Sequence, residues 1–290
     1  ENTPKGTGDR FFPSDDGAVT VLEGTENNFG DVAGASYHHA SGLNLALKEV
    51  KTRFVLILDP DFFIIRKNWI EDVLEYMTKN ELVFFGAPYN PKRYMKYRYF
   101  PCIHCMFIDL DKVSKSSLDF SPQYDKAILS SGREKVKQTQ SSNLGFLYKF
   151  FNTIKNHLRI LIKRNKVIGS SRDTGYLVYK NFGGNKSECL EPVFKLNSSS
   201  IRPSYLGSVF NLIVEKFLPD NLCYIPKMSQ YYSKLGFKDI GAPDAFTLGW
   251  DEFLWKGRPF GFHMQGANKG GDTKDHGGEI GSLREILNVF

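Results

Sequence analysis

Unbroken apolar runs, rather than alternation, mark the strands of this chain. "RFVLILD" is the plainest: Phe54, Val55, Leu56, Ile57 and Leu58 follow one another with no polar residue between them. That is the pattern of a central strand covered on both faces. "LVFFGAP" (82–88) and "YFPCIHCMFIDLD" (99–111) read the same way. Upstream, "AVTVLEG" (18–24) predicts a strand and "YHHASGLNLALKEV" (37–50) a helix. With "RFVLILD" they form a strand, helix, strand unit whose strands pair in parallel. "NWIEDVLEYMTKN" predicts a helix with Asn68 as N-cap, Glu71 three residues on, and Trp69, Ile70, Val73, Leu74 and Met77 along one face. The sum is an α/β protein with a mixed, mainly parallel sheet flanked by helices. A single domain is expected over 1–290, interrupted at 120–166 by an insertion that opens as a polar loop and ends as a basic amphipathic helix.

Composition agrees with a globular chain: 290 residues with 41% hydrophobic content can bury a large core. No apolar run reaches the roughly eighteen residues that span a bilayer, and "ENTPKGTGDR" lacks the shape of a signal peptide. Four cysteines are too few to staple a chain of this size, which fits a reducing compartment and a cytoplasmic location. "CIHC" (102–105) invites a zinc reading, but Cys189 and Cys223 form no second pair, so buried structural thiols are the expectation.

Charge changes the picture in one region. The chain carries +6, yet residues 125–166 hold ten Lys or Arg against two acids, a local balance of +8. There "LYKFFNTIKNHLRILIKR" places Leu147, Phe150, Phe151, Ile154, Leu158, Leu161 and Ile162 on one stripe, with the cations off it. Such a helix either packs its apolar face on the domain or attaches peripherally to the inner face of an anionic membrane. The cations follow no nucleic-acid-binding motif, and no nucleic acid is expected as a partner.

The candidate chemistry begins where the first strand ends. Asp59 and Asp61 flank Pro60 at the carboxyl end of "RFVLILD", the edge of an α/β sheet where ligands bind. Two carboxylates one residue apart can face one hard cation, or they can simply close a turn.

Together with the residues before them, these acids carry a resemblance. "NNFGDVAGASYHHASGLNLALKEVKTRFVLILDPDFFI" resembles the family 2 glycosyltransferases and their GT-A relatives, Rossmann-like enzymes in which an Asn- and Gly-containing loop and a helix lead into a strand ending in Asp-x-Asp. The matching positions are Asn28, Gly30, His39, Gly42, Asn44, Asp59 and Asp61, and the likeness is good over about 18–110 and loose beyond. It implies an inverting glycosyltransferase that moves a sugar from a nucleotide-diphosphate sugar to a glycan or lipid-linked acceptor. A divalent metal, Mn²⁺ or Mg²⁺, stabilises the departing diphosphate in such enzymes.

By the same resemblance Asp61 is the better metal ligand, with Asp59 facing the donor, and Asn28, His39, Asn44 and Lys269 line the nucleotide sugar. His263, at the end of "PFGFH" before a Gly/Lys loop, is a third metal ligand. Asp173 in "SRDTGYLVYKNFG" matches the acid that takes the acceptor proton, although Asp also caps helices. Asp251 and Glu252 in "GWDEFLW" are rivals for that role. Only some seventeen residues precede "AVTVLEG", so the nucleoside-binding unit that opens these domains is expected to be missing, as in a fragment. A catalytically silent sugar-binding or scaffold relative, and a metal-dependent phosphohydrolase using the same acids, are the other readings.

Overall fold

The computed structural model describes residues 20, 22, 34–89, 100–123, 173–193, 233, 235–264 and 276–289. All of the expected strand at 18–24 but Thr20 and Leu22, all of the 120–166 insertion but its first four residues, and Asn28, Gly30, Cys223 and Lys269 lie outside these. The chain divides into two compact units, one from Glu1–Lys51 with Ser114–Asn181, the other from Thr52–Val113 with Phe182–Phe290. No described helix is long and apolar enough to cross a membrane.

In the first unit, helix α1 (Gly34–Glu49) begins three residues before the sequence pattern suggested. It buries Ala40 and Leu47, two turns apart on one face. Asn44 ties it to the segment after the sheet: its amide donates to Asp119 Oδ1 at 3.0 Å and its carbonyl oxygen accepts from Phe120 N at 3.0 Å. The Phe120 carbonyl in turn accepts from Gly175 N at 2.7 Å, just ahead of α3 (Tyr176–Phe182).

The second unit holds two four-stranded sheets. The first has the order β1 (Phe54–Leu58), β4 (Cys105–Asp109), β3 (Phe84–Gly86), β5 (Ser187–Cys189). The second has the order β2 (Phe62–Ile64), β8 (Arg258–His263), β7 (Asp251–Trp255), β6 (Glu191–Pro192). The protein is therefore mixed α/β, as the apolar runs predicted, but neither sheet is mainly parallel. Only β3 and β5 pair in parallel, while β4 runs antiparallel between β1 and β3, and every pair of the second sheet is antiparallel. An apolar run reports burial on both faces and says nothing of the direction of its neighbour. Nor is β1 central among the described strands: it stands at an edge, half-buried, and ends on Leu58 at 43% exposure.

Helix α2 (Trp69–Lys79) links the two sheets' strands β2 and β3 and buries Val73 and Met77. Its start departs from expectation. Asn68 occupies the N-cap position but in the left-handed conformation (φ 53°), and its side chain makes no capping bond. Glu71 and Asp72 in the first turn complement the helix dipole instead, and Asp72 pairs with Arg66 at 3.4 Å. Ile70, counted in the apolar stripe, is 49% exposed.

One core joins α2 and both sheets through Phe62, Val73, Met77, Phe85, Phe107, Phe253, Trp255 and Phe260. A second lies on the other face of the second sheet, with Trp250, Leu254, Phe262 and Ile286 of α4 (His276–Val289). A register shift between Phe253 and Leu254 lets Phe260 enter the first core and Phe262 the second, although they are two residues apart.

Asp109, fully buried at the end of β4, receives a forked pair of bonds from Arg53: Nε to Oδ1 at 3.0 Å and Nη2 to Oδ2 at 2.9 Å. Burial pushes this carboxyl up, but Arg53, the Asp111 N–H and Lys112 outweigh it and hold it below the usual range. A carboxyl lowered on folding contributes stability that is complete above its unfolded pKa, near 4, and is lost as pH falls through the folded value. The gap in unfolding free energy between wild type and Asp109→Asn should therefore narrow as pH drops from about 5 toward 3. A gap that stays constant in urea titrations over that range would show that the pair adds nothing pH-dependent.

Candidate metal centre

Both acids of "DPD" sit in the turn that carries the chain from one sheet to the other. β1 ends at Leu58, the Phe62 N–H closes the turn on the Asp59 carbonyl at 3.0 Å, and β2 starts at Phe62 in the second sheet. Pro60 suits the second position of such a turn because its φ is preset. The turn is held from two sides. The Asp59 N–H donates to the His104 carbonyl at 3.1 Å, and the Asp61 carbonyl accepts from Met264 N at 2.9 Å.

Pairing of β2 with β8 sets Phe62 opposite His263 and so brings the imidazole beside Asp61. His263 Nε2 lies 3.1 Å from Asp61 Oδ1, across 202 residues of sequence. One ligand atom from each of Asp59, Asp61 and His263 can be chosen so that all lie within 4.8 Å of one another. The three side chains are partly open to solvent, Asp61 at 32% and His263 at 13%. Two hard carboxylates and one borderline nitrogen form a donor set that fits Mn²⁺ and, less selectively, Mg²⁺.

No family model, curated protein or solved structure matches this chain.

Beneath the site lies a second histidine that the sequence reading did not assign. The His104 ring, 3% exposed, stacks on His263 with centroids 4.7 Å apart and planes 16° from parallel. Phe62 packs against both rings, 5.9 Å from His104 and 6.2 Å from His263. Burial first, and His263 second, push the His104 pKa well below its ordinary value, so this imidazole is neutral. Cys102 Sγ lies against the edge that holds both its ring nitrogens, at 2.7 and 2.9 Å, and also meets the Ala87 carbonyl at 3.1 Å. His263 Nδ1 is buried and meets no hydrogen-bond partner among the described residues.

The thiols of "CIHC" behave as the sequence suggested. Cys102 and Cys105 are buried and free, and burial raises both thiol pKa values, so neither is a thiolate ready for a soft metal.

His39 and Asn44 sit on α1 and Asp173 before α3, all in the first unit, whereas Asp59, Asp61 and His263 belong to the second. Asp173 Oδ1 accepts from Ser36 Oγ and from Thr174 N at 2.9 Å, so its carboxylate pins the start of α1 to the turn before α3. Glu252 is fully buried, and its two oxygens accept from Phe237 N at 2.9 Å and Phe246 N at 3.0 Å. That carboxylate organises backbone. Asp251, buried on β7, lies opposite His263 in the strand register.

Proposed function

We propose that this chain is a GT-A-type inverting glycosyltransferase that transfers a sugar from a nucleotide-diphosphate sugar to a glycan or lipid-linked acceptor. The observation that carries the reading is the meeting of Asp59, Asp61 and His263 within 4.8 Å at a sheet edge. Asp61 and His263 would hold a divalent cation, Mn²⁺ or Mg²⁺, with Asp59 shared between it and the donor. When bound, such an ion supplies Lewis-acid stabilisation of the charge gathering on the leaving diphosphate. Partial burial strengthens these contacts relative to open solvent. Asp173 is the acid we assign to the acceptor proton, and Asn28, His39 and Lys269 are assigned to the donor. Asn44 serves that side indirectly, because both ends of its amide already hold Asp119 and Phe120. We place the work on the cytoplasmic side; residues 147–162 pack their apolar stripe on the domain or, as the alternative, attach it peripherally to the membrane.

The test is nucleotide-sugar turnover with and without acceptor, in Mn²⁺ and in chelator. Transfer that requires both acceptor and metal supports the assignment. Hydrolysis indifferent to acceptor would make the protein a phosphohydrolase, and donor binding with no turnover a silent relative. Asp61→Asn keeps size and shape but removes one charge, and should weaken Mn²⁺ binding by about tenfold or more while thermal unfolding is unchanged. Equal Mn²⁺ affinity in variant and wild type would sink the role given to Asp61.

A further inference from the structure

His104 touches two of the three residues of the cation site by two different routes. Its carbonyl accepts the Asp59 N–H at 3.1 Å, which fixes where the Asp-Pro-Asp turn begins. Its ring lies face to face with the His263 imidazole, at 4.7 Å and 16°. The ring is itself held, by Phe62 at 5.9 Å, Phe253 at 5.9 Å and Cys102 Sγ at 2.7 Å. A histidine ligand is usually oriented by a hydrogen bond from its second nitrogen, yet His263 Nδ1 meets no such partner among the described residues. Apart from Nε2 against Asp61, two rings meet the His263 imidazole: Phe62, tilted by 32° at 6.2 Å, and His104, which is nearer and closer to parallel and so bears most directly on the plane of the ring.

We infer that His104 is a positioning residue of this centre, holding the His263 imidazole by stacking and Asp59 by its carbonyl so that the three ligand atoms converge on one divalent cation. The inference rests on the cation-site reading of Asp59, Asp61 and His263. It concerns the shape of the ring and not its protons. A flat apolar ring at 104 should serve almost as well as imidazole, and a branched aliphatic side chain of similar bulk should not.

The experiment uses the full chain and Mn²⁺ alone. Affinity is read by titration, and coordination by the nitrogen hyperfine coupling that a bound imidazole imposes on the Mn²⁺ spin resonance signal. His104→Phe should bind within about threefold of wild type and keep the coupling. His104→Leu should bind about tenfold or more weakly, in the range seen when the partners that orient a metal ligand are removed, with the coupling lost or reduced. Cys102→Ala frees one edge of the His104 ring without changing the fold's large side chains, and should weaken the coupling if the leucine variant does not fold. Wild-type coupling in both His104→Leu and Cys102→Ala overturns the inference, as does loss of coupling in a folded His104→Phe. A wild-type protein that binds no Mn²⁺ overturns the cation-site reading itself, and one that binds Mn²⁺ with no nitrogen coupling removes His263 from the ligands and His104's role with it.

Discussion

Glu252→Ala lowers the unfolding free energy by about 2–3 kcal/mol, and Glu252→Gln by roughly half as much. Each bond from a backbone N–H to this buried carboxylate is of the charged kind, worth about 1.5–3 kcal/mol, and alanine removes both, although the half-buried Phe246 N keeps a bond to Asp244 Oδ1 at 3.1 Å while the buried Phe237 N loses its carboxylate acceptor. Glutamine keeps one acceptor and turns an amide N–H toward the other donor. Against a typical total of about 5–15 kcal/mol the alanine loss is large. The turns at Phe237–Ile240 and Phe246–Leu248 should loosen first, and with them the stacking of Trp250 on Phe262, whose planes lie 6° apart. Urea unfolding gives the magnitude, and near-ultraviolet circular dichroism reports the tryptophan. A general base would behave in the opposite way, keeping stability and losing turnover. A loss under about 1 kcal/mol for the alanine variant would mean that the two bonds are replaced by others and that Glu252 is free for chemistry after all.

What the sequence made legible was mostly local. The runs at 54–58, 84–86 and 105–109 are strands and 69–79 is a helix, because burial and the 3.6-residue period are written into neighbouring side chains. Which strand pairs with which is not written there. "SECLEPV" contributes Ser187–Cys189 to one sheet and Glu191–Pro192 to the other, turning at the buried Leu190, and no pattern of apolar positions announces such a division. The β7–β8 hairpin did carry a signal. Lys256-Gly257, both at positive φ (53° and 69°), stands between two apolar runs and is the kind of pair that a tight hairpin turn requires.

The candidate site was legible in part for a related reason. Asp59 and Asp61 are conspicuous because acids rarely end an apolar run, and His263 because it ends another. His104 stood between two cysteines whose run read as buried structural thiols, and nothing in that run gave the ring a role of its own. Its role as a stacking platform depends on His263, which is 159 residues away in sequence and adjacent only once β2 has paired with β8. The N-cap at Asn68 failed for a different reason: residue type predicts where a helix starts more surely than it predicts the rotamer and φ that make the capping bond.

Gly261→Ala is expected to damage stability and cation binding together. Gly261 faces Ile64 across the β2–β8 pair, and a Cβ there would lie 2.5 Å from the Phe63 carbonyl oxygen, 3.0 Å from Phe62 Cε1 and 3.3 Å from Ile64 Cα. Two of these neighbours are backbone, which cannot swing aside as a side chain can, so the strands must move apart. Overpacking of this kind costs about 1–3 kcal/mol. The ladder that opens is the one that sets Phe62 opposite His263, two residues beyond the substitution, and on it depends the 3.1 Å approach of His263 Nε2 to Asp61. Thermal unfolding should shift down, and Mn²⁺ affinity should fall by about tenfold even well below the new melting temperature, as when an orienting neighbour of a ligand is lost. Gly257→Ala is the control: it also replaces a hairpin glycine, at φ 69°, but nothing lies within 4 Å of its would-be Cβ. It should cost stability through backbone strain while leaving Mn²⁺ binding to the folded protein intact. If both variants bind Mn²⁺ alike, the register of β2 on β8 does not set the geometry of the three ligands.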